Sequence, residues 1–395
     1  HGSGVPTTPF APPLAGDGSV DDWSGWDAHF GDWLDGSAFA DLPRSGIPVA
    51  HLFLPFNWNW PGPWPADQRQ REGCNDLTPE EPLINTPIDC SDASDNCTYV
   101  RRSRAALSDF SQHIAEAQWS GTDFQYFFNT KRAYDSVCQN LDEPTEVSDY
   151  ATLRFLSRLL RSVRGQASPI GMRVDIGHPE YLAHAPEALD DALDLAVMGR
   201  GLFDQRVSDR LAEKGVRRWT YGAAVGVDQS LAAQVGEAWR AAARGLNGMV
   251  FWNVARHTGD PAVDLDGGDG SLLLFYPANS PSLGGDVVPL ASMRLKATRR
   301  MAEDYHLLHQ RPEFVGSAAH LATSGTWSDP RYLNESRRIL FRRIDVGDPP
   351  VPVEPPEEPL PSDDIPDQGC GCLGGNPASF GLFVLLFARR RRRSA

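Results

Sequence analysis

From Ile47 onward the apolar residues fall into two alternating rhythms. Continuous apolar runs at Ile47 to Pro55 and Phe124 to Asn129 predict buried strands, whereas Arg101 to Ser120 and Tyr150 to Val163 repeat their apolar positions with a helical period. The alternation continues with a strand at Gly171 to Ile176, a helix near Pro186 to Ala192 and a strand at Leu193 to Met198. It goes on with a helix at Val207 to Lys214, an extended run at Arg217 to Tyr221, a helix at Leu231 to Leu246 and a strand at Gly248 to Trp252. Upstream, His1 to Pro43 has no clear period and reads as loop, with Trp23, Trp26 and Trp33 set among Gly, Asp and Pro. Strands alternating with helices imply an α/β fold with a covered parallel sheet. Six strands are two short of a (β/α)8 TIM-type barrel, so the expectation is a barrel truncated at its N-terminus, with the missing pair upstream of His1. An open doubly wound sheet is the alternative, although no GxGxxG or Walker turn follows any strand.

Composition changes this picture at the C-terminus. The 395 residues are 41 % hydrophobic, enough for a sizeable core. Residues 1–345 are assigned to the barrel, with an insertion at about 66–100. Residues 346–368 are rich in Pro and acid and read as a solvated linker. Residues 369–395 carry Cys370 and Cys372 in a Gly-Cys-Gly-Cys motif, an apolar run from Phe380 to Ala388, and Arg389 to Arg393. That run is short for a permanent membrane span of roughly 20 residues. This order resembles the C-terminal sorting signal of myxobacterial surface proteins, and an ordinary tail anchor is the alternative. Both imply an exported chain at the cell surface or outer membrane, held to a membrane through this segment or its processed form. The first residue is His1 rather than Met, as expected of a mature form or fragment.

Cys74, Cys90, Cys97 and Cys138 suit two disulfides in that compartment, in any of three pairings. Zinc is the competing reading, but no suitably spaced CxxC pair occurs and no histidine lies among the three insertion cysteines. A net charge of -15 argues against nucleic acid. The stretch Asp264 to Gly270 resembles a calcium loop but has Phe275 where the twelfth-position Glu belongs. No HExxH or GxSxG motif occurs, so neither a metal nor a cofactor is expected.

The most pointed chemistry is the adjacent pair Asp142-Glu143, just ahead of Pro144 and a helix. One reading makes the pair a helix cap. The other makes it an acid pair, in which two close carboxyls cannot both ionise cheaply and one retains a proton near neutral pH. In a barrel the C-terminal strand ends form the site. Those ends carry Trp58, Trp60, Asn129, Lys131, Asp175, Tyr221, Trp252 and Asn253. Aromatic faces, amides and carboxyls suit a carbohydrate.

The segment Trp219-Thr220-Tyr221 through Gly248 to Trp252, then Asp269 to Leu273 with Tyr276-Pro277, and Pro289 to Lys296 with Glu303-Asp304-Tyr305, resembles the catalytic domain of the family-123 glycoside hydrolases and their uncharacterised relatives. The resemblance covers roughly Asp123 to Leu308 and adds Asp269 and Tyr276 to the substrate-binding candidates. It implies that Leu141-Asp142-Glu143-Pro144 is the family's acid pair, with Glu143 as general acid/base and Asp142 orienting a substrate 2-acetamido group that serves as nucleophile. A surface-attached, retaining, substrate-assisted glycosidase is one expectation. A barrel that binds glycans or serves as a scaffold without turnover is the other. Nothing in the sequence sets an oligomeric state.

Overall fold

The computed structural model describes residues 10–65, 82–132, 137–164, 169–178, 187–222, 225–226, 229–251, 273–276, 289–323 and 328–346. Strands β1 (His51–Phe53), β2 (Asp123–Tyr126), β3 (Ile170–Ile176), β4 (Leu195–Gly199), β5 (Arg217–Gly222) and β6 (Gly248–Phe251) form one six-stranded sheet in chain order. The pairings β1–β2, β2–β3, β3–β4 and β5–β6 are parallel, with His51 opposite Asp123, Phe124 opposite Ile170, Arg173 opposite Leu195 and Trp219 opposite Gly248. The fold is therefore α/β with a parallel sheet. A closed eight-stranded barrel is not seen among the described residues. The other two strands there, β7 (Phe275–Tyr276) and β8 (Leu290–Ala291), pair antiparallel as a separate sheet. By contact, the chain divides into two compact units, His1–Arg217 and Arg218–Ala395.

In the first unit the helices are α1 (Ser24–Asp35), α2 (Pro82–Asn85), α3 (Asp95–Glu116), α4 (Val147–Val163), α5 (Glu187–Asp190) and α6 (Gln205–Glu213). The helix α1 falls in the stretch the sequence pattern leaves as loop, and α3 begins at Asp95 rather than Arg101. Ser94 starts α3 by accepting the Cys97 N–H at 3.2 Å, so the last insertion cysteine already belongs to the helix. The α3 residues Val100, Leu107, Phe110 and Ile114 share one buried face. Phe110 meets Trp26, Phe56 and Trp60, and Phe56 meets Tyr126 of β2. Truncating a side chain such as Phe110 in this packing would cost about 3–5 kcal/mol.

Strand β3 is buried along all seven residues, as a parallel strand covered on both faces must be. Two of the seven are Arg173 and Asp175, so a charged pair is built into the core layer and demands internal partners.

The second unit holds α7 (Leu231–Ala243), α8 (Met293–Gln310), α9 (Val315–Thr323) and α10 (Pro330–Val346). Buried polar bonds join α7 to α8: Gln234 Nε2 donates to the Arg294 carbonyl at 2.8 Å, and Trp239 Nε1 donates to Asp304 at 3.1 Å. Asp304 also pairs with Arg337 of α10. Among the described residues no helix is long and apolar enough to cross a membrane. The C-terminal segment with Cys370 and Cys372 lies outside the described residues.

Candidate functional site

Site construction begins where β2 gives way to its loop. The Thr130 carbonyl accepts the N–H groups of both Leu141 (2.9 Å) and Asp142 (3.1 Å), which fastens the acid pair to the chain just beyond the strand. Arg132 closes the intervening loop. Its backbone N–H donates to Asn140 Oδ1 at 2.9 Å, and its guanidinium donates to the Cys138 carbonyl at 2.6 Å and to Glu146 at 2.8 Å.

The start of α4 is satisfied by other carboxylates. Glu146 is the N-cap and forms a capping box with Asp149. The buried Asp149 carboxylate accepts the N–H groups of Asn140 (2.9 Å), Thr145 (3.0 Å) and Glu146 (2.9 Å). Burial raises the Asp149 pKa, against those three donors. The helix thus opens at Val147, three residues before Tyr150, and Asp142 and Glu143 are not its caps.

Instead the pair faces Lys131. The lysine Nζ is in direct ion-pair contact with Glu143 Oε2 and stands 3.6 Å from Asp142 Oδ2. Both acids are 7 % exposed. Glu143 takes a left-handed backbone, φ 59°, a conformation that costs a non-glycine residue of order 1 kcal/mol or more and clusters at functional sites. Its side chain lies over Gly177, where an added Cβ would fall 2.0 Å from Oε1 and 2.4 Å from Cγ. Only a residue without a side chain leaves that space.

Beside them, Arg173 grips Asp175 with two bonds, Nε to Oδ1 at 2.6 Å and a terminal nitrogen to Oδ2 at 2.7 Å. The same guanidinium donates to Gln125 Oε1 at 2.8 Å and lies against the rings of Phe127 and Phe53, 4.3 and 4.8 Å from their centroids. Burial pushes the Asp142 pKa up to about 7. Lys131 opposes the shift, Asp175 and Glu143 add to it, and Arg173 opposes it. One carboxyl in the cluster can therefore hold a proton near neutral pH, as a general acid must.

No protein-family model and no curated protein matches this sequence. The site must be read from its own geometry.

Four of the residues singled out from sequence, Lys131, Asp142, Glu143 and Asp175, come together in the first unit. Trp60 does not join them: it is packed against Phe56 and Phe110, and its indole N–H donates to the Pro12 carbonyl at 3.3 Å. Trp58 is half-buried in the turn after β1, and Asn129 is exposed. Tyr221 on β5 and Tyr276 on β7 belong to the second unit, where Arg294 donates to the Tyr276 hydroxyl at 2.9 Å. Trp252, Asn253, Asp269 and the calcium-like loop lie outside the described residues. Among the described residues no group of His, Cys, Asp and Glu is placed to hold a metal ion.

Of the cysteines, Cys90 and Cys97 form a disulfide and Cys138 is also disulfide-bonded. Cys74 lies outside the described residues. The sequence reading passed over Arg173, Gln125, Gly177 and Asp149. The signal for the first two was present, since each is a polar residue interrupting an apolar strand.

Proposed function

We propose that the chain is a cell-surface glycoside hydrolase, retaining and substrate-assisted on an N-acetylhexosaminide-like sugar, whose six parallel strands belong to a (β/α)8 barrel. The observation that carries this reading is that Glu146 and Asp149 cap α4, so Asp142 and Glu143 are surplus to the helix and stand with Lys131 and Asp175 beside the ends of β2 and β3. A double-displacement glycosidase sets two carboxyls about 5 Å apart across the scissile bond. Neighbouring residues are poorly arranged for that. They can supply one proton donor and one carboxylate for an acetamido N–H, with the acetamido oxygen closing on the anomeric carbon.

The burial of both acids favours a second reading, a closed charge cluster that locks the loop of a glycan-binding or scaffold protein without turnover. Incubating the full chain with a glycan panel separates the two. The hydrolase reading expects release of N-acetylhexosamine with retained anomeric configuration, lost in the Asp142→Asn, Glu143→Gln double variant. Glycan retention without release, unchanged in the double variant, would favour the binding protein.

A further inference from the structure

The cluster contains three carboxylates, Asp142, Glu143 and Asp175, and two cations, Lys131 and Arg173, and the four neighbours are the charged groups that act most strongly on Asp142. Both cations have a first commitment. Arg173 spends two donors on Asp175. Lys131 is in contact with Glu143, and its nitrogen is 3.6 Å from Asp142, beyond hydrogen-bonding reach. Asp142 has only the longer share of Lys131 and feels two negative neighbours in a buried place, where an incompletely compensated ion is costly.

We infer that Asp142, rather than Glu143, holds the resting proton and donates it, while Lys131 keeps Glu143 as a carboxylate. This reverses the assignment that the family resemblance implies. The donation step rests on the hydrolase reading, whereas the place of the resting proton does not. The direction of the Asp142 shift agrees with the geometry.

In the reaction the Asp142 proton passes to the glycosidic oxygen as the bond from that oxygen to the anomeric carbon breaks, its electron pair staying on the oxygen. The acetamido oxygen bonds to the anomeric carbon, with Glu143 accepting the acetamido N–H. Water then adds to the anomeric carbon, the bond to the acetamido oxygen breaks, and the water proton returns to Asp142. An ionised carboxyl is the stronger acceptor for the acetamido N–H, the carboxyl that donates to the glycosidic oxygen must carry the proton, and the Lys131 contact sorts the two acids accordingly.

The test is carbon-13 NMR of the full chain, labelled at aspartate side-chain carboxyls in one sample and glutamate side-chain carboxyls in another, titrated from pH 5 to 9. One aspartate carboxyl titrating near neutrality, absent in Asp142→Asn, is the expected result. A glutamate carboxyl titrating there in the unaltered chain, or no carboxyl titrating in that range, would overturn the inference. Should Asp142→Asn fail to fold, Lys131→Met gives the second reading: with one cation gone, a glutamate carboxyl should begin to titrate near neutrality, and no change would overturn the Lys131 role. Where hydrolysis is observed, Asp142→Asn should lose about 10²-fold on poor leaving groups and spare activated aryl glycosides, with Glu143→Gln slowing both alike. Absence of any hydrolysis would sink the hydrolase reading and leave the titration result standing.

Discussion

At the scale of single residues, Asp142 ties stability to pH. Its folded pKa of about 7 lies above the ordinary value of 3.8, so between those limits the folded chain binds a proton that the unfolded chain has released. Stability from this group is fully present below about pH 4 and falls as pH rises towards 7, by at most about 1.4 kcal/mol per unit. Asp142→Asn cannot ionise and should flatten that part of the profile, becoming more stable relative to the unaltered chain above pH 7. Urea unfolding at pH 5 and pH 8 measures it, and parallel profiles for the two chains would contradict it. Gly177 acts by what it lacks. Gly177→Ala should push Glu143 off its seat against Lys131 while leaving the fold intact and, if the proposed hydrolysis is observed, lower its rate by about tenfold or more, checked by activity beside circular dichroism.

Among elements, α4 shows what was legible and what was not. Its apolar period from Tyr150 to Val163 is plain in the sequence, and the helix is there. Its first turn is hidden because Val147 is exposed and Ser148 and Asp149 are polar, so the periodic signal starts late. Glu146-x-x-Asp149 departs from the usual Ser/Thr and Glu/Gln capping pattern, and capping was left to Asp142 and Glu143 as one of two readings. Because Asp149 accepts three backbone N–H groups, Asp149→Ala should cost about 2–3 kcal/mol and loosen the acid-pair loop with the helix start. Thermal unfolding measures the first effect, and faster proteolysis within residues 130–146 the second. The helix α1 was missed for a related reason: its twelve residues mix Gly, Asp and Trp without a clean stripe, and Asp22, which accepts the Ser24 N–H at 2.8 Å, sits one place before its N-cap.

For the whole molecule, short continuous apolar runs alternating with helical-period segments were enough to read an α/β fold with parallel strands, because a strand covered on both faces has no polar face whereas a surface helix keeps one. The strand ends they define include Lys131 and Asp175, but not the meeting of those two with Asp142 and Glu143, which runs through a loop and a neighbouring strand that no local pattern links. The cysteines bear on the same loop. Cys138 precedes Asp142 by four residues, and its backbone carbonyl accepts the Arg132 bond that closes the loop. With Cys90 bonded to Cys97, the partner of Cys138 is to be sought among Cys74, Cys370 and Cys372. Reduction of the folded chain should lower its melting temperature by several degrees, and mass mapping without reduction should recover the Cys90–Cys97 link. Unchanged melting after complete reduction would remove the disulfides from the account.

The Thr130 carbonyl, with its two incoming N–H groups, joins two amides to one anchor. Neither Leu141 nor Asp142 can swing outward for long without straining the other's bond. In heavy water the two should surrender their protons at a common rate, so that the acid pair keeps time with its strand rather than with its loop.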